Sequence, residues 1–525
     1  MSPISASGNP VPGILRGMRF AAAATVAVAM GSCAVGPDFR APTPPPDLAG
    51  TGSAGFGTGT GWTRTVGANI AGGETQHASK GRDIPGDWWR LFGSRGLGSL
   101  TDRALKNNAN LAAAQAALRV AQANLAGGKG AFFPQVTAGG GASRSVSPAL
   151  PPLPDQNGNL LLQESPPFNL YTGQVNVSYT PDVFGGIRRN VESLQAQSDN
   201  QRFQLEATYL TLTSSIALAA VQEASLRGQI DATRELIKIA SDVLEVLGRQ
   251  RKAGLISDVD VLPQEAALAQ IQQTLPPLEL QLDQQRHLLS ALSGGLPNQE
   301  PPEKFTLSAL RLPRDLPVSV PSQICQQRPD LRAAEENLHA ASAQIGVAIS
   351  NRIPQLTLSG SLGSQAITAA TLFQPGTAAW TVGASVVQPI FDGGILYQKE
   401  VAARATFEQA TSQYRSTVIT AFQNVADSLS ALSRDAAALQ KAVTAEDAAN
   451  RSLTLARKRL DAGDINSILL LNAQQTYLQA KLARVQAQAN RFADTVALFQ
   501  ALGGGWWNRE DREPPRHYPY FNFGD

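Results

Sequence analysis

The sequence offers little with which to do chemistry. Its two cysteines, Cys33 and Cys325, cannot build a disulfide framework or a Cys-based zinc site. The four histidines, His77, His287, His339 and His517, lie far apart, with no H-E-x-x-H pattern, and G-x-S-x-G does not occur. The run Gly127-Gly128-Lys129-Gly130 lacks the first glycine of a phosphate loop, and Ala131 stands where Ser or Thr would hold a metal ion. Neither catalysis nor a metal or cofactor is expected. Charge is also scarce: 16 % of residues, against about 25 % in ordinary domains. Lys+Arg number 44 and Asp+Glu 42, and removing residues 1–32 takes away only Arg16 and Arg19. So neutral a chain is a poor match to a phosphate backbone, which excludes nucleic acid as a partner. No run of 18 apolar residues follows residue 32, so no transmembrane helix is expected there.

What is present begins at the N-terminus. Arg16 and Arg19 precede the apolar stretch Phe20–Met30, followed by Gly31-Ser32-Cys33. That order describes a signal peptide over residues 1–32, with Met18 as an alternative start. Small residues before a cysteine resemble a bacterial lipobox, with Met30 where Leu is usual. The resemblance implies a covalent diacylglyceryl and N-acyl lipid on Cys33; an ordinary cleaved leader is the alternative. Ala34 replaces the aspartate of inner-membrane retention, which points to the outer membrane. A mature chain without an apolar helix spans a membrane only with strands.

Residues 33–82 are rich in Pro, Gly, Thr and Ser and read as a lipid-anchored tether or loosely packed strap. The chain then repeats itself. Residues 110–135 align without a gap on 330–355 with eight of 26 positions identical, among them Leu111/Leu331, Leu118/Leu338 and Pro134/Pro354. Pro181-x-x-x-Gly185-Gly186-Ile187 matches Pro389-x-x-x-Gly393-Gly394-Ile395, and Ala253-Gly254 matches Ala462-Gly463. Three matches in one order indicate a tandem duplication, with repeats at 83–300 and 328–503, a linker at 301–327 and a tail at 504–525.

Each repeat has the same grammar. A first helix stops at proline. Two alternating segments follow: Val175, Val177 and Tyr179 against Asn176, Ser178 and Thr180, then Leu356, Leu358 and Leu362 against Thr357, Ser359 and Ser361. Period two, apolar against small polar, suits strands with lipid on one side and water on the other. After Gly-Gly come proline-free helical stretches from Ile187 to about Arg251 and from Ile395 to about Leu460. At 1.5 Å per residue each reaches about 100 Å. Gly254 and Gly463 mark turns into return helices. The first return helix reads as shorter and broken by Pro276-Pro277; the second carries Ile468, Leu471, Gln475, Leu478, Leu482, Val485, Ala489, Phe492, Val496 and Phe499 in unbroken heptads. Four strands cannot close a barrel, and an open edge in lipid leaves backbone groups unpaired. Three copies would supply 12 strands and 12 helical strands.

Four motifs carry a resemblance: Cys33-Ala34-Val35-Gly36-Pro37-Asp38-Phe39, Trp88-Trp89-x-Leu91-Phe92, Arg328-Pro329-Asp330-Leu331-Arg332-Ala333-Ala334-Glu335 and Phe422-Gln423-Asn424-Val425-Ala426-Asp427. Over residues 33–503 the chain resembles the TolC-type outer-membrane efflux proteins, lipoprotein branch. The resemblance implies an α+β membrane protein: a homotrimer with a 12-stranded outer-membrane β-barrel, four strands per chain, continuous with a long periplasmic α-helical barrel. It further implies a passive exit duct for an inner-membrane pump, usually of the resistance–nodulation–division class, joined through a periplasmic adaptor. Asp260 falls where such proteins carry an inward tip acid, and Ile468 and Asn472 match an apolar and an acidic constriction position, Asn472 departing from the expected aspartate. A coiled-coil periplasmic scaffold or adaptor lipoprotein without a pore is the rival; it leaves the paired strands unexplained. The insert 49–73 and the aromatic tail from Trp506 have no assigned role.

Overall fold

The computed structural model of the chain describes residues 34–42, 64–80, 82–146, 153–154, 160–161, 166–318, 321–462 and 464–509. Cys33 and the leader before it, and Gly463, lie outside these residues. The chain forms two compact units: residues 1–41, 120–198 and 336–411 in one, residues 42–119, 199–335 and 412–525 in the other.

In order, the elements are β1 (His77–Lys80), α1 (Arg95–Asn107), α2 (Ala109–Lys129), β2 (Gln135–Ser145), β3 (Phe168–Tyr179), α3 (Gly186–Lys252) and α4 (Asp258–Leu292). Then come β4 (Asp315–Val318), α5 (Pro321–Gln327), α6 (Pro329–Ser350), β5 (Gln355–Ala366), β6 (Ala378–Val387), α7 (Ile395–Asp461) and α8 (Ser467–Ala501). The duplication is visible in the lengths. α3 and α7 have 67 residues each, and α4 and α8 have 35 each. The paired Gly-Gly signals and the absence of proline place the ends of the 67-residue helices within two residues of the sequence reading.

The first return helix departs from that reading. α4 is continuous and as long as α8, with Pro263, Pro276 and Pro277 inside it. Two adjacent prolines remove two N–H donors and ordinarily cost about 3 kcal/mol each. Here the carbonyls so released belong to Gln272 and Gln273, both exposed, where water can bond them.

In the strand unit, β2, β3, β5 and β6 form one antiparallel sheet in that order. In the helical unit, one core gathers Trp88, Trp89, Phe92, Leu97 and Leu100 around Phe492, Val496 and Phe499. The Trp88 ring stacks on Phe499 at 5.4 Å. A second core joins Leu236, Val243 and Leu247 of α3, Val261 and Ile271 of α4, Leu453 of α7, and Leu470 and Tyr477 of α8. β1 pairs in parallel with β4.

Two segments expected to be loose are packed. Val35, Gly36 and Asp38 lie against Arg189 at the start of α3, and residues 71–76 lie against α8. The beginning of the aromatic tail is built in as well. Gly503, Gly504 and Gly505 all take positive φ, and a Cβ on Gly505 would stand 2.4 Å from the Ile84 carbonyl. Only glycine fits that turn. It delivers Trp506, whose Nε1 donates to the Gln327 carbonyl at 2.6 Å, and Trp507, whose Nε1 donates to Asp83 Oδ1 at 3.0 Å.

Candidate functional site

The sheet has two chemically distinct faces, and its register shows how. Val136, Val177, Gly360 and Val382 stand in one row across the four strands, and Ala138, Val175, Leu362 and Trp380 in the next. The alternate rows hold Gln135, Ser178, Ser359 and Gly383, then Thr137, Asn176, Ser361 and Thr381. Opposed residues share a face, so the period of two in the sequence becomes one apolar and one small-polar surface. Within the chain the apolar surface stays bare: Trp380 is 74 % and Val382 78 % exposed. Among the described residues, β2 and β6 each pair on one side only. A strand edge with unpaired N–H and C=O groups beside a bare apolar face suits closure by further copies in lipid. Among the described residues no helix is long and apolar enough to cross a membrane.

The junction residues named from sequence are turn formers. Pro134 and Pro354 immediately precede β2 and β5, and Pro181 and Pro389 lie just beyond β3 and β6. Gly185, Gly393 and Gly394 take positive φ ahead of the long helices, and Gly186 opens α3. Asp182 accepts from the Ile187 and Arg188 amides at 2.9 Å each, and Asp392 from the Gly394 and Leu396 amides at 2.8 Å each. These carboxylates satisfy orphan donors of the helix start. The bonds from Leu396 and Gly394 hold Asp392 below the usual carboxylate range.

The same junction receives residues 34–40, through an arginine that no sequence pattern singles out. Arg189 is buried on α3; its Nε donates to the Val35 carbonyl at 3.1 Å and its Nη2 to Asp38 Oδ1 at 2.6 Å. Phe39 stacks on His339 at 4.3 Å. A Cβ on Gly36 would lie 2.5 Å from Gly346 Cα, so two glycines permit the approach. That pair of glycines is the one local signal of the contact.

At the hairpin tips, Gly254 takes φ 73° and turns α3 into α4. Asp260 forms a capping box at the start of α4: its Oδ2 accepts from the Ser257 amide at 3.3 Å and from the Ser257 hydroxyl at 3.2 Å. Ile468 and Asn472 lie one turn apart near the start of α8, Ile468 exposed and Asn472 at the next turn of the helix. Leu255, Val259, Leu262 and Leu469 are exposed beside these turns.

The heptads of α8 divide in two. Val485, Ala489, Phe492, Val496 and Phe499 are buried as expected. Nearer the tip the chain's own core takes Leu470, Ala473, Gln474 and Tyr477 instead, leaving Ile468 and Gln475 exposed and Leu471, Leu478 and Leu482 half-buried. α8 thus carries two stripes there, and one chain fills only the first. Polar ties hold the first: Gln264 Nε2 donates to Gln474 Oε1 at 3.2 Å, Tyr477 Oη to Glu235 Oε1 at 3.2 Å, and Lys481 Nζ pairs with Glu235 Oε2. Arg484 Nε pairs with Glu446 Oε2 at 2.7 Å. Burial alone would lower the Lys481 ammonium, but its bonds to Glu235 and Tyr477 hold it above its ordinary value.

Three comparisons bear on this arrangement. The family described as "Outer membrane efflux protein" matches residues 100–295 and 320–504. Pyoverdine export outer membrane protein OpmQ of Pseudomonas putida is 31 % identical over 440 residues, covering 83 % of this chain and 92 % of its own. Antibiotic efflux pump outer membrane protein ArpC of Pseudomonas putida is 27 % identical over 488 residues, covering 93 % and 95 %. The solved outer-membrane channel OprN superposes with a TM-score of 0.76 at 26 % identity, covering 90 % of this chain and all of that one.

Proposed function

The chain belongs to the outer membrane efflux protein family, and from that membership we propose that it is the outer-membrane exit duct of a tripartite efflux system. Three copies close the sheet into a 12-stranded barrel, and their helical hairpins form the periplasmic conduit. An adaptor and an inner-membrane pump, of the resistance–nodulation–division class, deliver the substrate; the duct itself is passive. The observation that carries the reading is the four-stranded sheet with one bare apolar face and two unpaired edges. Such a sheet is stable in lipid only when closed. A pore-free scaffold has no use for it. Purified protein should run as a heat-modifiable trimer and conduct in planar bilayers; a monomer that gives no channels would refute the duct.

The tips form the resting constriction in this reading, with three Ile468 side chains as the apolar ring and Asp260 supplying charge in addition to its capping bonds. Ile468→Ala is expected to raise single-channel conductance, Asp260→Asn to weaken divalent block and Asn472→Asp to strengthen it. Three aspartates about 8 Å apart would repel by about 2 kcal/mol per pair at an effective dielectric of 20, enough to favour a bound divalent cation. If all three variants conduct and respond to divalent ions like the parent, the constriction lies elsewhere.

The lipid on Cys33 is part of the same proposal. Its support is the docking of Val35, Gly36 and Asp38 on Arg189, beside a strand–helix junction. Cys33→Ser should abolish metabolic palmitate labelling while leaving barrel insertion to the strands. Labelling that survives the substitution would remove the lipid assignment.

A further inference from the structure

The two repeats are covered differently within one chain. In the strand unit, α6 seats on the start of α3. The Ser193 hydroxyl donates to the Ala340 carbonyl at 3.3 Å, Gln344 Nε2 donates to Ser193 Oγ at 2.8 Å, and His339 Nε2 lies 3.0 Å from Glu192 Oε1. Ala340, Ala343 and Ser350 of α6 are buried, as are Arg189, Ser193 and Ala196 of α3.

Their duplicated counterparts are bare. The ungapped match of 110–135 to 330–355 sets Val120, Ala123 and Gly130 of α2 at the places of Ala340, Ala343 and Ser350. The Gly-Gly-Ile match sets Tyr397, Val401 and Arg404 of α7 at the places of Arg189, Ser193 and Ala196. All six are exposed, Val120 to 60 % and Val401 to 42 %. Leu111 and Leu118, on the opposite side of α2, are buried, so one face of that helix is held and the other is not. A helix face without its seat and a seat without its helix are each the part the other lacks. The charges match too: Glu400 repeats Glu192, and Arg119 stands at the place of His339.

We propose that α2 of one copy seats on the start of α7 of the next, in the register in which α6 seats on α3 within the chain, so that Val120 meets the next copy's Val401. The occupant is a second copy because the bare helix surfaces adjoin the bare strand edges. α2 leads into β2 and β6 leads into α7, and among the described residues these two strands each pair on one side only. The chain already joins one such set: β3 leads into α3, α6 leads into β5, and β3 pairs with β5. The contact runs one way, from the helix of one copy to the seat of another, and such an interface builds a ring rather than a two-fold dimer. The two seats also differ in what else they admit. A Cβ on Gly346 would stand 2.8 Å from the Val35 carbonyl. Ala126 holds that place at the seam and Tyr397 replaces Arg189, so Val35, Gly36 and Asp38 fit only the seat within the chain.

This seating rests on the exit-duct reading for its ring of copies, and cysteine linking separates the two. In a Cys325→Ala background, the full chain carrying Val120→Cys and Val401→Cys is treated with a short bismaleimide in outer membranes. Covalent trimer should be the main species, while each single substitution leaves monomer on denaturing gels. Co-expressing the two single variants should stop at covalent dimer, because one cysteine lies on the helix and the other on the seat. Asn124→Cys with Val401→Cys, the counterpart of the Gln344–Ser193 bond, serves if the first pair does not assemble. Heat-modifiable trimer that gives no covalent oligomer from either pair, or equal linking by a single variant, would overturn the seating and leave the duct standing. A parent chain that forms no trimer would count against the duct itself, and the seating would fall with it.

Discussion

Arg328→Met is expected to reduce the recovery of folded protein sharply. The guanidinium is buried at the entrance to α6. Its Nη1 donates to the Ala501 carbonyl at 3.0 Å and the Ala421 carbonyl at 3.4 Å, and its Nε and Nη2 fork onto Asp330 at 3.0 and 2.6 Å. One side chain thus fastens the start of α6 to the end of α8 and the middle of α7. Asp330 is partly exposed, so water replaces most of what the fork supplied. The carbonyl bonds are the larger loss, about 1.5–3 kcal/mol for each bond from a charged donor. Methionine fills the volume but donates nothing. Heat-modifiable oligomer on gels should drop several-fold and the melting temperature should fall, with Arg328→Lys intermediate because it keeps the charge and loses the fork. Unchanged oligomer yield in Arg328→Met would show that the carbonyls find other donors.

Lys481→Met with Arg484→Met should produce the largest change in conduction. Lys481 and Tyr477 hold Glu235, tying α8 to α3, and Arg484 holds Glu446, tying α8 to α7. Both members of the Arg484–Glu446 pair are about four-fifths buried, which shields that pair from solvent screening; Glu235 is half exposed, so its tie is discounted. Together the two ties supply about 2–3 kcal/mol, a factor of roughly 30–150 in the balance between tied and untied hairpins. Open probability in planar bilayers should rise by one to two orders of magnitude, with trimers still recovered because the apolar cores remain. Because Lys481 is held above its ordinary value, the tie is complete at neutral pH and is lost only as pH rises through that raised value. Wild-type gating through this tie should therefore be flat from about pH 6 to 9. A double variant with parental open probability would remove these pairs from the closed state.

Periodicity and composition by themselves determined the architecture: two repeats, four strands, two helices of about 65 residues, 67 in the structure, and their Gly-marked junctions. These features are local. A strand's two faces and a helix's ends depend on residues at most four apart, so the pattern survives without knowledge of partners. The tertiary structure decided whatever depended on contacts distant in sequence. Pro276 and Pro277 stay inside α4, where the residues whose carbonyls they release, Gln272 and Gln273, are exposed, which no local rule supplies. The heptads of α8 read as one seam, yet near the tip the buried set shifts to Leu470, Ala473 and Tyr477 because α3, α4 and α7 converge there. Asp260 read as a tip acid and also bonds Ser257. No sequence pattern marks Arg189 or Arg491 as buried. Each is buried because a segment more than a hundred residues away in sequence covers it, and burial gives a hydrogen-bonded charge its grip.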